Sequence, residues 1–134
     1  MNWHYCSGFV DADGSIILVK QKNRYYPRIN FHNTCLEILV EIEKFISRKL
    51  DIKGTLTHYL PRTDEGEVQY TLTYSSYKSV LPILARLQLK HPKKNHRKKM
   101  IDLINKARTG DTTIDYEQAA KLFRSDDWKH LVGS

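Results

Sequence analysis

The run Gly8-Phe9-Val10-Asp11-Ala12-Asp13-Gly14-Ser15-Ile16 constrains this chain more than any other part of it. Residues Trp3 to Val10 are mostly apolar or small and read as a short helix, which Gly14 breaks. Ser15 to Lys22 is rich in Ile, Leu and Val and reads as a strand. Two acids therefore fall at a helix C-terminus, the negative end of its macrodipole, where a carboxylate is unfavourable. A turn made by Asp and Gly is the plainest explanation. A calcium loop fails on register, because Gly14 at its sixth position puts Phe9 and Lys20 where acidic ligands are required. The third explanation is a catalytic cation site. Asp13 is a hard oxygen donor, and Mg²⁺ needs only one or two carboxylates besides water and phosphate. Ser7 and Gly8 are small enough for another helix to approach closely. If that helix came from a second copy of the chain, two Asp13 carboxylates would converge near a two-fold axis.

The chain has 134 residues, which sets the expectation of one domain over 1–134, and its 40% hydrophobic content is enough for a compact core. Lys and Arg number 22 against 15 acids, a net charge of +7. Such an excess points to a polyanionic partner, most often nucleic acid. Cys6 and Cys35 form no metal or disulfide pattern and read as reduced thiols. The histidines have no zinc-site spacing. No run reaches transmembrane length and no signal-peptide pattern is present, so the expectation is a soluble, intracellular protein that is not secreted and has no membrane partner.

Along the chain, Asn23-Arg24 is a candidate turn and Arg28 to His32 a half-buried strand, making a hairpin with the strand before it. Leu36, Leu39, Val40, Ile42, Phe45, Ile46 and Leu50 have helical spacing. Thr55 to Leu60 and Val68 to Tyr74 read as strands around a polar loop, Pro61 to Glu67. Ser79 to Leu89 reads as a helix with Pro82 in its first turn. A basic segment follows, and Met100 to Ala107 continues as a helix. The order is α-β-β-α-β-β-α over a core of 2–107, with terminal helices within 112–132 in which Trp128 and Leu131 anchor the last one. This is an α+β domain with an antiparallel sheet.

Alternation assigns the sheet's faces. Ile29 and Phe31 share one face of their strand, while Tyr26, Arg28, Asn30 and His32 share the other. Tyr70, Leu72 and Tyr74 oppose Gln69, Thr71 and Thr73. The polar faces carry side chains that can read base edges in a major groove, which admits a two-stranded ribbon. Gln21, Arg24, Thr55, Thr57, Tyr59 and Arg62 complete this candidate DNA-binding set. The first strand is apolar at both parities and its faces stay unassigned. Lys90 to Lys99 holds six Lys or Arg and no acid. Cations at a helix start oppose the macrodipole, and a bound phosphate backbone would relieve that. Lys93, Lys94 and Arg97 are therefore candidate phosphate contacts.

Cys6-Ser7-Gly8-Phe9-Val10-Asp11-Ala12-Asp13-Gly14 resembles the LAGLIDADG motif of homing endonucleases, with Cys6 and Ser7 where the motif has Leu and Ala. The element order matches that family too, and Asn33-Thr34 after the second strand is typical of it. The resemblance implies a sequence-specific, divalent-metal-dependent DNA endonuclease. Asp13, helped by the Ala12 backbone carbonyl, would hold Mg²⁺ or a similar cation such as Mn²⁺. Lys90, with Lys93 and Lys94 as alternatives, would serve as the basic residue near the phosphate, and Asn33 would position water. Asp11 takes a structural role, and Ser7, Gly8 and Asp11 would lie at a dimer interface. One motif implies a homodimer on a long, roughly palindromic duplex, possession of an intron origin being common in the family. Two eight-residue ribbons end to end span roughly 54 Å, or about 16 base pairs. The alternative is a catalytically inactive member of the same fold, an RNA splicing maturase or a DNA-binding regulator.

Overall fold

The computed structural model describes residues 1–61 and 63–124. Its elements are α1 (Trp3–Asp13), β1 (Gly14–Gln21), β2 (Arg24–Asn33), α2 (Leu36–Leu50), β3 (Thr55–Tyr59), β4 (Gln69–Ser75), α3 (Tyr77–Arg86), α4 (Pro92–Thr109) and α5 (Tyr116–Arg124). The strands form one antiparallel sheet in the order β1-β2-β4-β3. The α+β class and the order read from the sequence hold. Arg62, Trp128 and Leu131 lie outside the described residues.

Helices cover one side of the sheet. Ile16, Ile29, Phe31, Leu72 and Tyr74 point into a core shared with Leu39, Ile42, Phe45 and Ile46 of α2 and with Val80, Ile83 and Leu84 of α3. α1 joins this core through Cys6 and Val10, and its Trp3 ring meets Phe45 edge-on at 4.9 Å. Gly14 is needed for space. A Cβ there would lie 2.7 Å from the Val10 Cα and 3.1 Å from the Asn30 carbonyl oxygen, so only glycine lets α1 turn directly onto the sheet. Pro27 sits inside β2 without cost to the ladder. Its carbonyl accepts from Ser76, where β4 has already ended, and its missing N–H faces that same side.

Several boundaries differ from the sequence reading. The first turn falls on Lys22-Asn23, with Lys22 left-handed at φ 57°. α3 begins at Tyr77, which moves Pro82 into its second turn. The basic segment is itself helical, because Pro92 opens α4 at a position where a missing N–H is harmless.

Candidate active site and nucleic-acid interface

The two motif acids separate. Asp11 is half-buried, and its carboxylate accepts the backbone N–H groups of Lys90 at 2.9 Å and His91 at 3.0 Å. It thus caps the start of α4, where no side chain of α4 does so. The favour is returned: the Lys94 ammonium donates to the carbonyls of Val10 at 2.6 Å and Asp11 at 2.7 Å, closing the end of α1. Loss of water pushes the Lys94 pKa below its usual value, with Asp11 and then Asp13 opposing the shift. Asp13 itself is exposed and has no hydrogen-bond partner among the described residues. Its charge is felt at His32 and Lys94.

Twelve residues of the candidate DNA-binding set share one face. The register pairs Gln21 with Arg24, Arg28 with Ser75, Asn30 with Thr73, and His32 with Thr71. It also pairs Thr55 with Thr73, Thr57 with Thr71, and Tyr59 with Gln69. Tyr26 faces Val19. This is the face away from the helices. The register also settles β1: Ser15, Ile17, Val19 and Gln21 point outward, and Ser15 and Ser75 join the polar set that sequence alone did not provide. At the end of the sheet near Asp13 the polar groups are already linked across three strands. Thr73 donates to Asn30 at 2.8 Å, and Asn30 donates to Ser15 at 3.3 Å. His32 bridges Ser15 at 3.3 Å and Thr71 at 3.1 Å.

Several of the candidate side chains have partners within the chain. Lys94 and Arg97 both bond to backbone carbonyls. Arg97 donates to the Ile16 carbonyl at 2.9 Å and lies over the Phe123 ring at 5.3 Å, tying α4 to β1 and α5. Lys98 likewise donates to the Leu87 carbonyl at 2.6 Å. Ser7 is buried. Its hydroxyl donates to the Trp3 carbonyl at 2.8 Å and accepts from the Gln88 amide at 2.9 Å, so it ties α1 to the segment after α3. Asn33 has the core-facing parity, opposite Tyr70, and its side-chain oxygen accepts from the Cys35 amide at 2.8 Å. It builds the turn into α2, and the polar side chain beside Asp13 is instead His32. Lys90 and Gly8 are exposed and Lys93 half-buried.

The fold and site define a class: an α+β domain with one face of its sheet open and polar, and an exposed acid at a helix end beside that face. The LAGLIDADG endonuclease family model matches residues 6–104, and the chain belongs to that family. The structure of the LAGLIDADG meganuclease I-AabMI bound to uncleaved DNA is similar at a TM-score of 0.62 and 14% identity, over 91% of this chain and 42% of that one. The chain thus spans less than half the length of I-AabMI. I-CvuI in complex with the I-CreI target gives 0.47 and 20% identity over 90% of each chain. The archaeal intron-encoded homing endonuclease I-Vdi141I complexed with DNA gives 0.48 and 14%, over 94% of this chain and 95% of that one. No curated protein matches. Among the described residues, no helix is long and apolar enough to cross a membrane.

Proposed function

We propose that the chain is a sequence-specific endonuclease that binds duplex DNA across the open sheet face and cleaves both strands as a homodimer. One observation carries this reading: the groove-reading side chains share a face, and the exposed carboxylate of Asp13 stands at its margin. Asp13 and the Ala12 carbonyl suit a hard divalent cation such as Mg²⁺. No three His, Cys, Asp or Glu converge among the described residues, so the remaining ligands would be water and phosphate, as Mg²⁺ prefers. Bound there, the ion would activate water and stabilise the leaving oxygen of the phosphodiester. Lys90, held at the start of α4 by the bond from its amide to Asp11, supplies a cation toward the phosphate. The side chains of Arg28, Asn30, Thr73, Gln69 and their neighbours read base edges and set the register.

Gly8 supports the dimer. It lies on the exposed face of α1 with Tyr5 and Ala12, and a Cβ added there meets nothing within 4 Å. Glycine inside a helix costs about 1 kcal/mol relative to alanine, and packing among the described residues gives no reason for it. Close approach of a second α1 does.

The test is selection and cleavage of a randomised duplex library with Mg²⁺. Discrete double-strand breaks are expected from the wild type and none from Asp13→Asn, which should still bind the selected duplex. Equal cleavage by both proteins would refute the role given to Asp13. Retention of sequences without cleavage by either would leave a DNA-binding protein.

A further inference from the structure

Lys94, Arg97 and Lys98 bond to carbonyls of the chain itself. Besides Lys90 and Lys93, a further group of cations gathers at the end of the sheet remote from Asp13. There a cleft of about 420 Å³ is lined by Arg24, Tyr25, Tyr26, Tyr77, Arg108 and Tyr116. Arg24 and Tyr26 belong to the open face and Tyr77, Arg108 and Tyr116 to the helix layer, so the cleft borders the open face at the end of the β1–β2 ribbon. Its walls are fixed by hydrogen bonds to the Tyr25 backbone. The Tyr25 N–H donates to the Tyr116 hydroxyl at 2.6 Å, and its carbonyl accepts from the hydroxyls of Tyr77 at 2.6 Å and Tyr116 at 3.0 Å.

These bonds occupy the tyrosine hydroxyls and leave the cations. The exposed Arg108 lies over the Tyr77 ring at 4.3 Å and donates one N–H to Asn105 at 2.7 Å, which keeps the guanidinium in place with donors to spare. Arg24 is exposed and has no hydrogen-bond or ion-pair partner among the described residues. Lys20 and Arg124 each stand 5.5 Å from the centre of the Tyr25 ring. Glu117 also touches Tyr25, but its carboxylate accepts the Tyr25 hydroxyl at 2.8 Å. The result is a rigid aromatic recess with positive charge at its mouth. A guanidinium fork matches phosphate oxygens.

We propose that this cleft is a second DNA contact, indifferent to sequence, which takes a backbone phosphate of the duplex flanking the base pairs read by the sheet, with Arg108 and Arg24 as donors. The proposal rests on the reading of the open face as the DNA interface. It adds Arg108, on a helix whose start is capped by Asp11 and which runs roughly 27 Å outward over its 18 residues. The sheet would then set the sequence and the cleft would clamp the flank.

Phosphate-ethylation interference tests this on the duplex recovered by selection, extended on both sides by arbitrary sequence. Wild-type protein should show interference outside the outermost base pair it selects. Arg108→Gln should lose interference at those outer phosphates alone, and its log affinity should fall less steeply with log salt, by about two units of slope, one for each subunit of the proposed dimer. Arg108→Lys should keep most of both. Should Arg108→Gln melt early, Arg108→Met keeps an unbranched stem over Tyr77 without the charge and is read in the same way. An unchanged outer pattern, or a loss spread over the whole footprint, overturns the proposal. Failure of the wild type to select any duplex would instead overturn the reading of the open face.

Discussion

At the scale of single residues, Asp11 and Asp13 show how one chemistry takes two roles from its surroundings. Asp11 accepts two backbone amides of the α4 start, so replacing it leaves both orphaned. Asp11→Ala should lower stability by about 1–2 kcal/mol, read from urea unfolding. Asp13 stands exposed at the negative end of α1. Removing its charge relieves the helix dipole, so Asp13→Asn should be neutral or stabilise by about 0.3–1 kcal/mol in the same titration. A residue whose loss helps the fold while abolishing cleavage is kept for function. Tyr74 belongs at this scale too. Its hydroxyl is buried without a hydrogen-bond partner among the described residues, and desolvation, with Glu43 and Cys6 adding to it, raises its pKa. Tyr74→Phe should therefore raise stability by about 1 kcal/mol, because an unsatisfied buried hydroxyl costs that much or more.

At the scale of elements, local patterns were legible and distant partners were not. The alternation in β2 and β4 carried its own assignment, since each polar residue there has apolar neighbours. β1 did not, because Ile16 to Val19 are apolar at both parities, and only pairing with β2 turns Ile17 and Val19 outward. The basic run of α4 hid its partners in a different way. Charge in a sequence suggests water or phosphate, yet Lys94 and Arg97 end on carbonyls of α1 and β1 some eighty residues away. A carbonyl acceptor has no side-chain signature to read. Glycine at position 8 stands on the exposed face of α1, where a side chain meets nothing within 4 Å. Gly8→Gln should therefore leave the monomer folded, raise helix propensity by up to about 1 kcal/mol, and abolish the proposed dimer in sedimentation. A dimer that persists in this variant would place the two-fold contact away from the exposed face of α1.

At the scale of the whole molecule, the junction of α1 with the sheet couples the candidate metal site to the open polar face through His32. Burial lowers the His32 pKa from its ordinary value, and the negative charge of Asp13 opposes that shift. The imidazole is therefore neutral at pH 7, free to pair with Ser15 and Thr71 as one donor and one acceptor. As pH falls below about 6.5, the unfolded chain takes up this proton before the folded one does. Stability from His32 is thus present above that value, is lost as pH falls toward the folded pKa, and changes no further below it. Unfolding midpoints should decline over that window in the wild type and less so in His32→Gln. The coupling has a sharper consequence. Asp13→Asn removes the charge that favours the imidazolium, so the His32 pKa should drop further in that variant when followed by NMR titration. A divalent cation at Asp13 should move it the same way, because positive charge replaces negative at the same place. An unchanged His32 titration in Asp13→Asn would show that the acid and the sheet are electrostatically independent, and would leave the polar network as a reader of bases with no link to cleavage.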